Sequence, residues 1–232
     1  MEKLQQALEN SLKKVYLCYR IKDHTMLKRK IEDTLLAWKN KPGHKPLVIM
    51  GIRQCGKTFI ARHFAGANYS NVVYINFIKE PERIGAFSGS KDVDTILLSL
   101  SAQIQGVKFI PGKTCLIFDE IQDCPEARTS LKFFHEDGRF DVIATGSLLG
   151  VQGYGDDLKK QRRMKVQKKE LGINSVPVGS EDIIEMYPLD FEEFLWAYGY
   201  TEETISYIKN FYLTKEKIPT DINNKFESLL RE

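Results

Sequence analysis

Apolar residues form short runs at five places along the chain, and polar or turn-forming residues bound each run. Such runs are typical of strands that are buried on both faces of a parallel sheet. We therefore expect five strands, at residues 46–50, 71–77, 114–120, 140–147 and 181–187.

Between these runs, apolar residues recur at the spacing of amphipathic helices. The predicted helices cover residues 1–25, 27–38, 58–64, 91–105, 125–135, a segment that starts over 188–193, and 202–232 with a break near Pro219. Asp190 and Glu193 have the spacing of a capping box. Alternating strands and helices imply an α/β fold with a five-stranded, mainly parallel sheet and right-handed crossovers. The carboxyl ends of the strands should then meet at one edge.

A complete GxxxxGK[ST] motif lies between the first predicted strand and the helix predicted at 58–64. It consists of Gly51, Ile52, Arg53, Gln54, Cys55, Gly56, Lys57 and Thr58. Backbone amides of such a loop can cradle a polyphosphate at the positive end of the following helix. We expect these residues and the adjoining Phe59 to bind a nucleotide, with Lys57 at the β- and γ-phosphates and the Thr58 hydroxyl on Mg²⁺.

The alternative is a chance Gly-Lys-Thr in a surface turn. The apolar strand before the loop and the helix pattern after it argue against that alternative, because the motif needs this strand–loop–helix context.

Two carboxylates, Asp119 and Glu120, end the third predicted strand. A buried parallel strand that ends in acidic residues is expected at a ligand site. Asp119 is the second predicted Mg²⁺ ligand, directly or through water, and Glu120 is the predicted catalytic group that orients and polarises the attacking water. The alternative is that both residues cap the next helix.

The fourth predicted strand ends in small polar residues, and Ser147 is the last of them. Its hydroxyl could hydrogen-bond the γ-phosphate or the attacking water, which would add Ser147 to Lys57 and Glu120 as a catalytic candidate. Judged by the chemistry of serine alone, this role and that of a helix N-cap are equally favoured.

Composition narrows the class of protein. Of the 232 residues, 42% are hydrophobic and 28% are charged, and these percentages are ordinary for a globular protein. The net charge of +3 is too small to indicate nucleic-acid binding by itself. No apolar run approaches the ~20 residues that span a bilayer, and the N-terminus lacks a signal-peptide core. We therefore expect a cytoplasmic protein without membrane contact.

Metal and redox chemistry based on cysteine is not favoured. The four cysteines, Cys18, Cys55, Cys115 and Cys124, form no CxxC pair, which argues against structural zinc. Cys55, within the phosphate loop, is interpreted as a small filler, with an oxidisable thiol near the helix end as the alternative.

A basic segment breaks the strand–helix alternation. Residues 152–175 are rich in glycine and charge, and seven basic residues crowd into 159–169. The favoured interpretation is a solvated, mobile loop. The alternatives are a nucleic-acid contact or the source of an arginine finger.

Six segments occur in an order that resembles a known family. They are 51–58, 73–77, 117–122, 145–150, 175–179 and 187–195. The chain is similar to prokaryotic AAA+-type P-loop ATPases, over roughly residues 26–232. The resemblance implies a P-loop NTPase core with the Walker A strand beside the sensor strand, and a small helical lid. It makes Lys57 and Thr58 Walker A, Asp119 and Glu120 Walker B, and Ser147 sensor 1.

The predicted domain plan has an N-terminal helical extension (1–25), which the apolar spacing indicates, followed by an ATPase core (26–187) and a helical lid (188–232), which the resemblance implies. Family members continue into a domain of restriction-endonuclease-like fold, which would begin where this sequence stops. No clear sensor-2 arginine occurs in the predicted lid.

The expected function is Mg²⁺-dependent ATP binding and slow hydrolysis, coupled to a conformational change on an unknown partner. A homo-oligomer, a protein partner and nucleic acid all stay open as partners. One alternative is an interaction module that binds ATP without significant turnover, in a DNA-associated or defence system. A GTPase or small-molecule kinase is less favoured, because position 122 is Gln where a GTPase would have Gly and a kinase rarely places Glu beside the metal Asp.

Overall fold

The computed structural model describes residues 27–147 and 179–231. The chain divides into two compact units. One comprises Ile31–Pro188, and the other combines Met1–Lys30 with Leu189–Glu232. The predicted extension at 1–25 and the basic segment at 152–175 lie outside the described residues.

The larger unit is built on one sheet of five parallel strands. They are β1 (Leu47–Gly51), β2 (Asn71–Asn76), β3 (Thr114–Asp119), β4 (Asp141–Ser147) and β5 (Asp182–Met186), in the spatial order β2-β3-β4-β1-β5. The α/β class and the parallel sheet are thereby confirmed. The predicted placement of the phosphate-loop strand beside the strand of Ser147 is also confirmed, because Gly51 pairs with Ser147.

The helices of the larger unit flank its sheet, and the smaller unit is helical throughout its described regular structure. In the larger unit they are α1 (Ile31–Asn40), α2 (Lys57–Asn68), α3 (Val93–Gln103) and α4 (Pro125–Asp137), and in the smaller unit α5 (Phe191–Ala197), α6 (Glu202–Thr214) and α7 (Thr220–Arg231). Two 3₁₀ helices, Pro81–Phe87 and Ile121–Asp123, were not predicted. Elements of this kind lack the 3.6-residue period on which the helix predictions depend.

The helix predicted from residue 27 begins four residues later, at Ile31. The preceding residues belong to the smaller unit, where the Lys30 amide donates to a carboxylate oxygen of Glu193 at 2.8 Å. The Lys30 ammonium group also pairs with Asp190 at 2.5 Å. The apolar spacing of this segment predicts a helix, but these tertiary contacts engage the backbone amide and the side-chain charge of Lys30. The helix therefore begins only at Ile31.

The smaller unit confirms two helix predictions. Asp190 and Glu193 form a reciprocal capping box at the start of α5, with bonds of 2.9 Å and 3.0 Å between each side chain and the other residue's amide. The predicted break near Pro219 separates α6 from α7. None of the described helices of either unit is long and apolar enough to cross a bilayer.

The core of the larger unit lies between the sheet and its helices. Strand β3 is buried along its whole length, as expected for a central parallel strand. Phe118 of β3 contacts three other buried phenylalanines, with ring centroids 5.3–6.0 Å apart, and these partners are Phe77, Phe87 and Phe134. This packing fixes β3 directly before its last residue, Asp119.

Polar contacts hold the edge strand β5 beside β1. Glu181, directly before β5, accepts a hydrogen bond of 2.7 Å from Arg128 of α4, and both side chains are buried. Asp182 accepts from the Lys45 amide at 3.4 Å. These contacts fix the start of β5, and the parallel register then pairs its last residue, Met186, with Gly51 at the start of the phosphate loop.

Candidate functional site

The carboxyl ends of the strands bring the predicted residues to one edge of the sheet. Gly51 ends β1, Asp119 ends β3 and Ser147 ends β4. Asn76 ends β2 and pairs with Asp119 in the register. Since all these strands are parallel, the loops that follow them start side by side, as expected for an α/β ligand site.

Asp119 is the centre of this edge. Its carboxylate is buried, with 2% of the residue exposed, and four side chains donate hydrogen bonds to it. Thr58 and Thr145 donate to Oδ1, the former at 2.7 Å. Tyr74 and Asn76 donate to Oδ2, each at 2.7 Å.

The four donors keep the Asp119 carboxylate ionised. Burial by itself raises the pKa of a carboxyl group, because it disfavours the charged form. Here the hydrogen bonds from Thr145, Tyr74, Thr58 and Asn76 outweigh burial and hold the pKa of Asp119 below its usual value. The site therefore presents a negative charge at neutral pH, as a metal-ligating carboxylate requires.

Three of the four donors, Tyr74, Asn76 and Thr145, were not assigned a role from the sequence. Tyr74 and Asn76 lie two residues apart on β2, so both side chains face the same side of the sheet. Burial and the bond to Asp119 raise the pKa of Tyr74 to about 12, so the hydroxyl keeps its proton. The signal that could have identified Tyr74 and Asn76 is their spacing of two residues at the end of β2, which pairs with a strand that ends in Asp119.

The phosphate loop has the backbone conformation that its glycines allow. Gly56 has φ 97° and precedes α2, where no side chain of the described residues caps the helix. Gln54 is also left-handed, with φ 64°. Such a conformation is readily adopted by glycine and less so by other residues. The first-turn amides of α2 are thus available to an anion.

Lys57 lies within its own loop. It is a buried residue, and its ammonium group donates to the carbonyl oxygens of Gly51 at 3.0 Å and Ile52 at 2.6 Å. The next residue, Thr58, points its hydroxyl at Asp119 instead. The structure therefore joins the loop to the carboxylate strand through Thr58, whereas Lys57 binds loop carbonyl groups.

The remaining loop residues differ in exposure. Cys55 is buried and donates weakly to the carbonyl oxygen of Met186 at 3.4 Å, a contact that fits its interpretation as a filler. Ile52 and Phe59 are more than half exposed, and the Phe59 ring stacks on His63 with centroids 6.3 Å apart. Arg53 is also exposed.

Glu120 follows Asp119 in a left-handed conformation, with φ 56°, which ends β3 one residue earlier than predicted. Its side chain makes no cap bond to the 3₁₀ helix that follows, and α4 is capped by Cys124. The helix-capping alternative for Asp119 and Glu120 is therefore wrong. Instead, the side-chain amide of Gln122 donates to Oε2 of Glu120 at 2.6 Å and to the carboxylate of Asp123 at 2.8 Å.

Ser147 is buried at the end of β4, where it pairs with Gly51 at the start of the loop. The residues directly after it lie outside the described residues. Its predicted sensor role and the N-cap alternative both stay predictions.

Gly51 meets a steric requirement that can be tested by substitution. A Cβ at this position would lie 2.2 Å from the Met186 carbonyl oxygen of β5. Gly51→Ala should therefore lower the free energy of unfolding by about 1–3 kcal/mol, a typical cost of overpacking. Gly66 of α2 is the matched control, because a Cβ there meets nothing within 4 Å. Gly66→Ala should raise the free energy of unfolding by about 0.5–1 kcal/mol. Urea unfolding measures both, and equal changes would contradict the steric argument.

Comparison with known proteins identifies the family. Residues 43–195, more than half of the 232-residue chain, match the AAA domain family. The chain belongs to the AAA domain family. Membership in this P-loop ATPase class makes the protein nucleotide-binding and ATPase-like. No curated protein matches the chain.

Three solved structures are similar to this AAA domain at low identity. A DNA replication initiation factor is 13% identical with a TM-score of 0.40, and the match covers 88% of this chain and 57% of that chain. AMPPCP-bound DnaA from Aquifex aeolicus is 13% identical with a TM-score of 0.39, with 84% and 53% covered. The Pif1 helicase from Bacteroides is 12% identical with a TM-score of 0.38, with 72% and 44% covered. The chain thus spans about half the length of these structures.

Proposed function

We propose that this AAA domain binds ATP with Mg²⁺ and hydrolyses it. The observation that carries the proposal is the 2.7 Å hydrogen bond from the Thr58 hydroxyl to Asp119. It joins the phosphate loop to the strand that presents the two carboxylates. An ATPase of this class needs that junction, because the same ion must contact the phosphates and the carboxylate strand.

The loop supplies the phosphate contacts. Gly56 precedes α2 without a side-chain cap among the described residues, so the first amides of the helix can donate to phosphate oxygens. The Lys57 ammonium group would exchange its two loop carbonyl acceptors, which are neutral, for phosphate oxygens, which are charged. This exchange is favourable because hydrogen bonds between charged groups are the stronger ones.

The oxygen donors fit Mg²⁺. Thr58 Oγ1 and Asp119 Oδ1 are hard oxygen ligands, and Mg²⁺ is usually held by one or two protein groups together with water and phosphate. The described residues contain no cluster of three or more His, Cys, Asp or Glu side chains that could hold an ion without a nucleotide. Bound there, Mg²⁺ would neutralise charge on the phosphate oxygens.

Glu120 is the proposed catalytic base. It follows Asp119 directly, and its left-handed backbone turns it away from the strand direction. The side-chain amide of Gln122, at 2.6 Å, holds one carboxylate oxygen, and the described residues give the other oxygen no hydrogen bond, so it could orient a water molecule. Ser147, beside Gly51, is the proposed hydrogen-bond donor to the γ-phosphate or to that water.

Turnover would drive a conformational change on a partner. We infer slow hydrolysis by the isolated chain, stimulated by an unknown protein partner or by assembly with further copies. In this proposal residues 188–232 act as the helical lid. The alternative, ATP binding without turnover, needs Lys57 but can dispense with Glu120.

Calorimetric titration of the full chain with ATP, GTP and ADP, each with Mg²⁺ and with EDTA, tests the binding step. We expect ATP to bind with a Kd of about 1 μM to 1 mM, the usual range of substrate affinities, and to bind more weakly in EDTA. Equal affinities for GTP and ATP would remove the ATP preference. Failure of all three nucleotides to bind would overturn the function.

A further inference from the structure

The proposed function leaves Tyr74 without a role, although its hydroxyl lies on the Asp119 carboxylate. We propose that Tyr74 is a positioning residue for the Mg²⁺–nucleotide complex, which fixes the rotation of the Asp119 carboxylate so that Oδ1 stays beside Thr58. The proposal rests on the proposed function, since it concerns the same site.

The two oxygens of Asp119 have separate partners. Both donors to Oδ2, Tyr74 and Asn76, come from β2, each at 2.7 Å. Both donors to Oδ1 are threonine hydroxyls, Thr58 from α2 and Thr145 from β4. Rotation of the carboxylate out of its present plane would break the pair of bonds from β2 and move the other oxygen away from Thr58.

The direction of these hydrogen bonds is determined by the neighbouring backbone. The side-chain oxygen of Asn76, Oδ1, accepts from the backbone amides of Ile78 at 3.1 Å and Lys79 at 2.8 Å, which fixes the orientation of the Asn76 side-chain amide. Its NH₂ group therefore faces Tyr74, at 3.3 Å from the phenol oxygen, and Asp119.

It follows that the Tyr74 oxygen accepts from Asn76. Its single proton cannot point toward the Asn76 NH₂ group, which is itself a donor. The proton points to the Asp119 carboxylate, which only accepts. Tyr74 and Asn76 thus act together, and neither can reverse its bond without leaving a buried polar group unpaired.

The Tyr74 ring is also held from the side of the phosphate-loop helix. The Arg62 guanidinium group of α2 lies 4.8 Å from the ring centroid, a cation–π distance. Since α2 begins at Lys57, this contact links the helix that carries Thr58 to the residue that orients Asp119. The two proposed Mg²⁺ ligands are therefore connected by a second path besides their direct hydrogen bond.

Tyr74→Phe tests the role, because it removes the hydroxyl and keeps the ring. Binding of Mn²⁺ to the full chain is measured by electron paramagnetic resonance in the presence of a non-hydrolysable ATP analogue. We expect the Mn²⁺ Kd to rise by about 10-fold, as outer-shell substitutions typically cause. Affinity for the analogue in EDTA should not change. The Mg²⁺ concentration for half-maximal hydrolysis should rise, while kcat at saturating Mg²⁺ is largely kept.

Tyr69→Phe is the matched control. The Tyr69 hydroxyl also donates to an aspartate, Asp141, at 2.8 Å, but Asp141 begins β4 at the opposite end of the sheet. This variant should bind Mn²⁺ as the wild type does. A Tyr74→Phe variant with wild-type Mn²⁺ affinity would overturn the positioning role alone. Absence of Mn²⁺–nucleotide binding by the wild type would overturn the proposed function and the role of Tyr74 with it.

Discussion

Glu120→Gln is expected to keep ATP binding and to lower the hydrolysis rate by about 10²- to 10⁴-fold, the usual contribution of a general base. The substitution preserves the size of the side chain and removes the negative charge that would polarise the attacking water. The local structure should persist, because Ile121 is fully buried and anchors the following 3₁₀ turn. Steady-state phosphate release measures the rate, and calorimetry measures the binding.

Glu136→Gln is the control for this substitution. Glu136 lies exposed on α4, where its contact is a surface pair with Lys132 at 3.6 Å. This variant should hydrolyse ATP at the wild-type rate. If Glu120→Gln also did so, the assignment of Glu120 as the base would be wrong, and a group elsewhere would have to activate the water. A wild type that binds ATP without turnover would favour the interaction-module alternative.

Lys57→Ala is expected to weaken ATP binding by at least about 100-fold, because removal of one partner from a desolvated charge pair is costly. The apo protein should still fold, since the lysine contacts only loop carbonyl groups and a neighbouring thiol in the residues that the structure describes. Thermal unfolding with and without ATP is a direct readout. A ligand at 100 times its Kd stabilises the folded state by about 2.7 kcal/mol, and at the same ATP concentration this gain should fall to about 0.4 kcal/mol or less in the variant.

The exposed Lys132 on α4 supplies the control, because its side chain is 48% exposed and far in sequence from the loop. Lys132→Ala should keep the full thermal shift with ATP. An ATP-dependent shift in Lys57→Ala equal to that of the wild type would show that the loop does not bind the phosphates. A loss of the apo transition would instead point to a structural role for the buried lysine.

The order of strands and motifs could be predicted from the sequence because the signals are local. Apolar runs at 46–50 and 114–120 identify buried strands, and a GxxxxGK[ST] loop directly after the first run defines the strand–loop–helix unit. The capping box of Asp190 and Glu193 is equally local, since both partners lie within one turn. The helix start at Ile31 was missed because the residues before it form long-range contacts with Asp190 and Glu193.

By itself, the sequence determined the family, the parallel sheet and the motif residues, because each depends on spacing along a few residues of the chain. Only the tertiary structure decided how these residues meet. The parallel register brings Tyr74 and Asn76 onto Asp119 from a strand more than forty positions away in sequence. Thr145 reaches the same carboxylate from β4. Contacts of this kind follow from the order of strands in the sheet, which no local pattern of residues encodes.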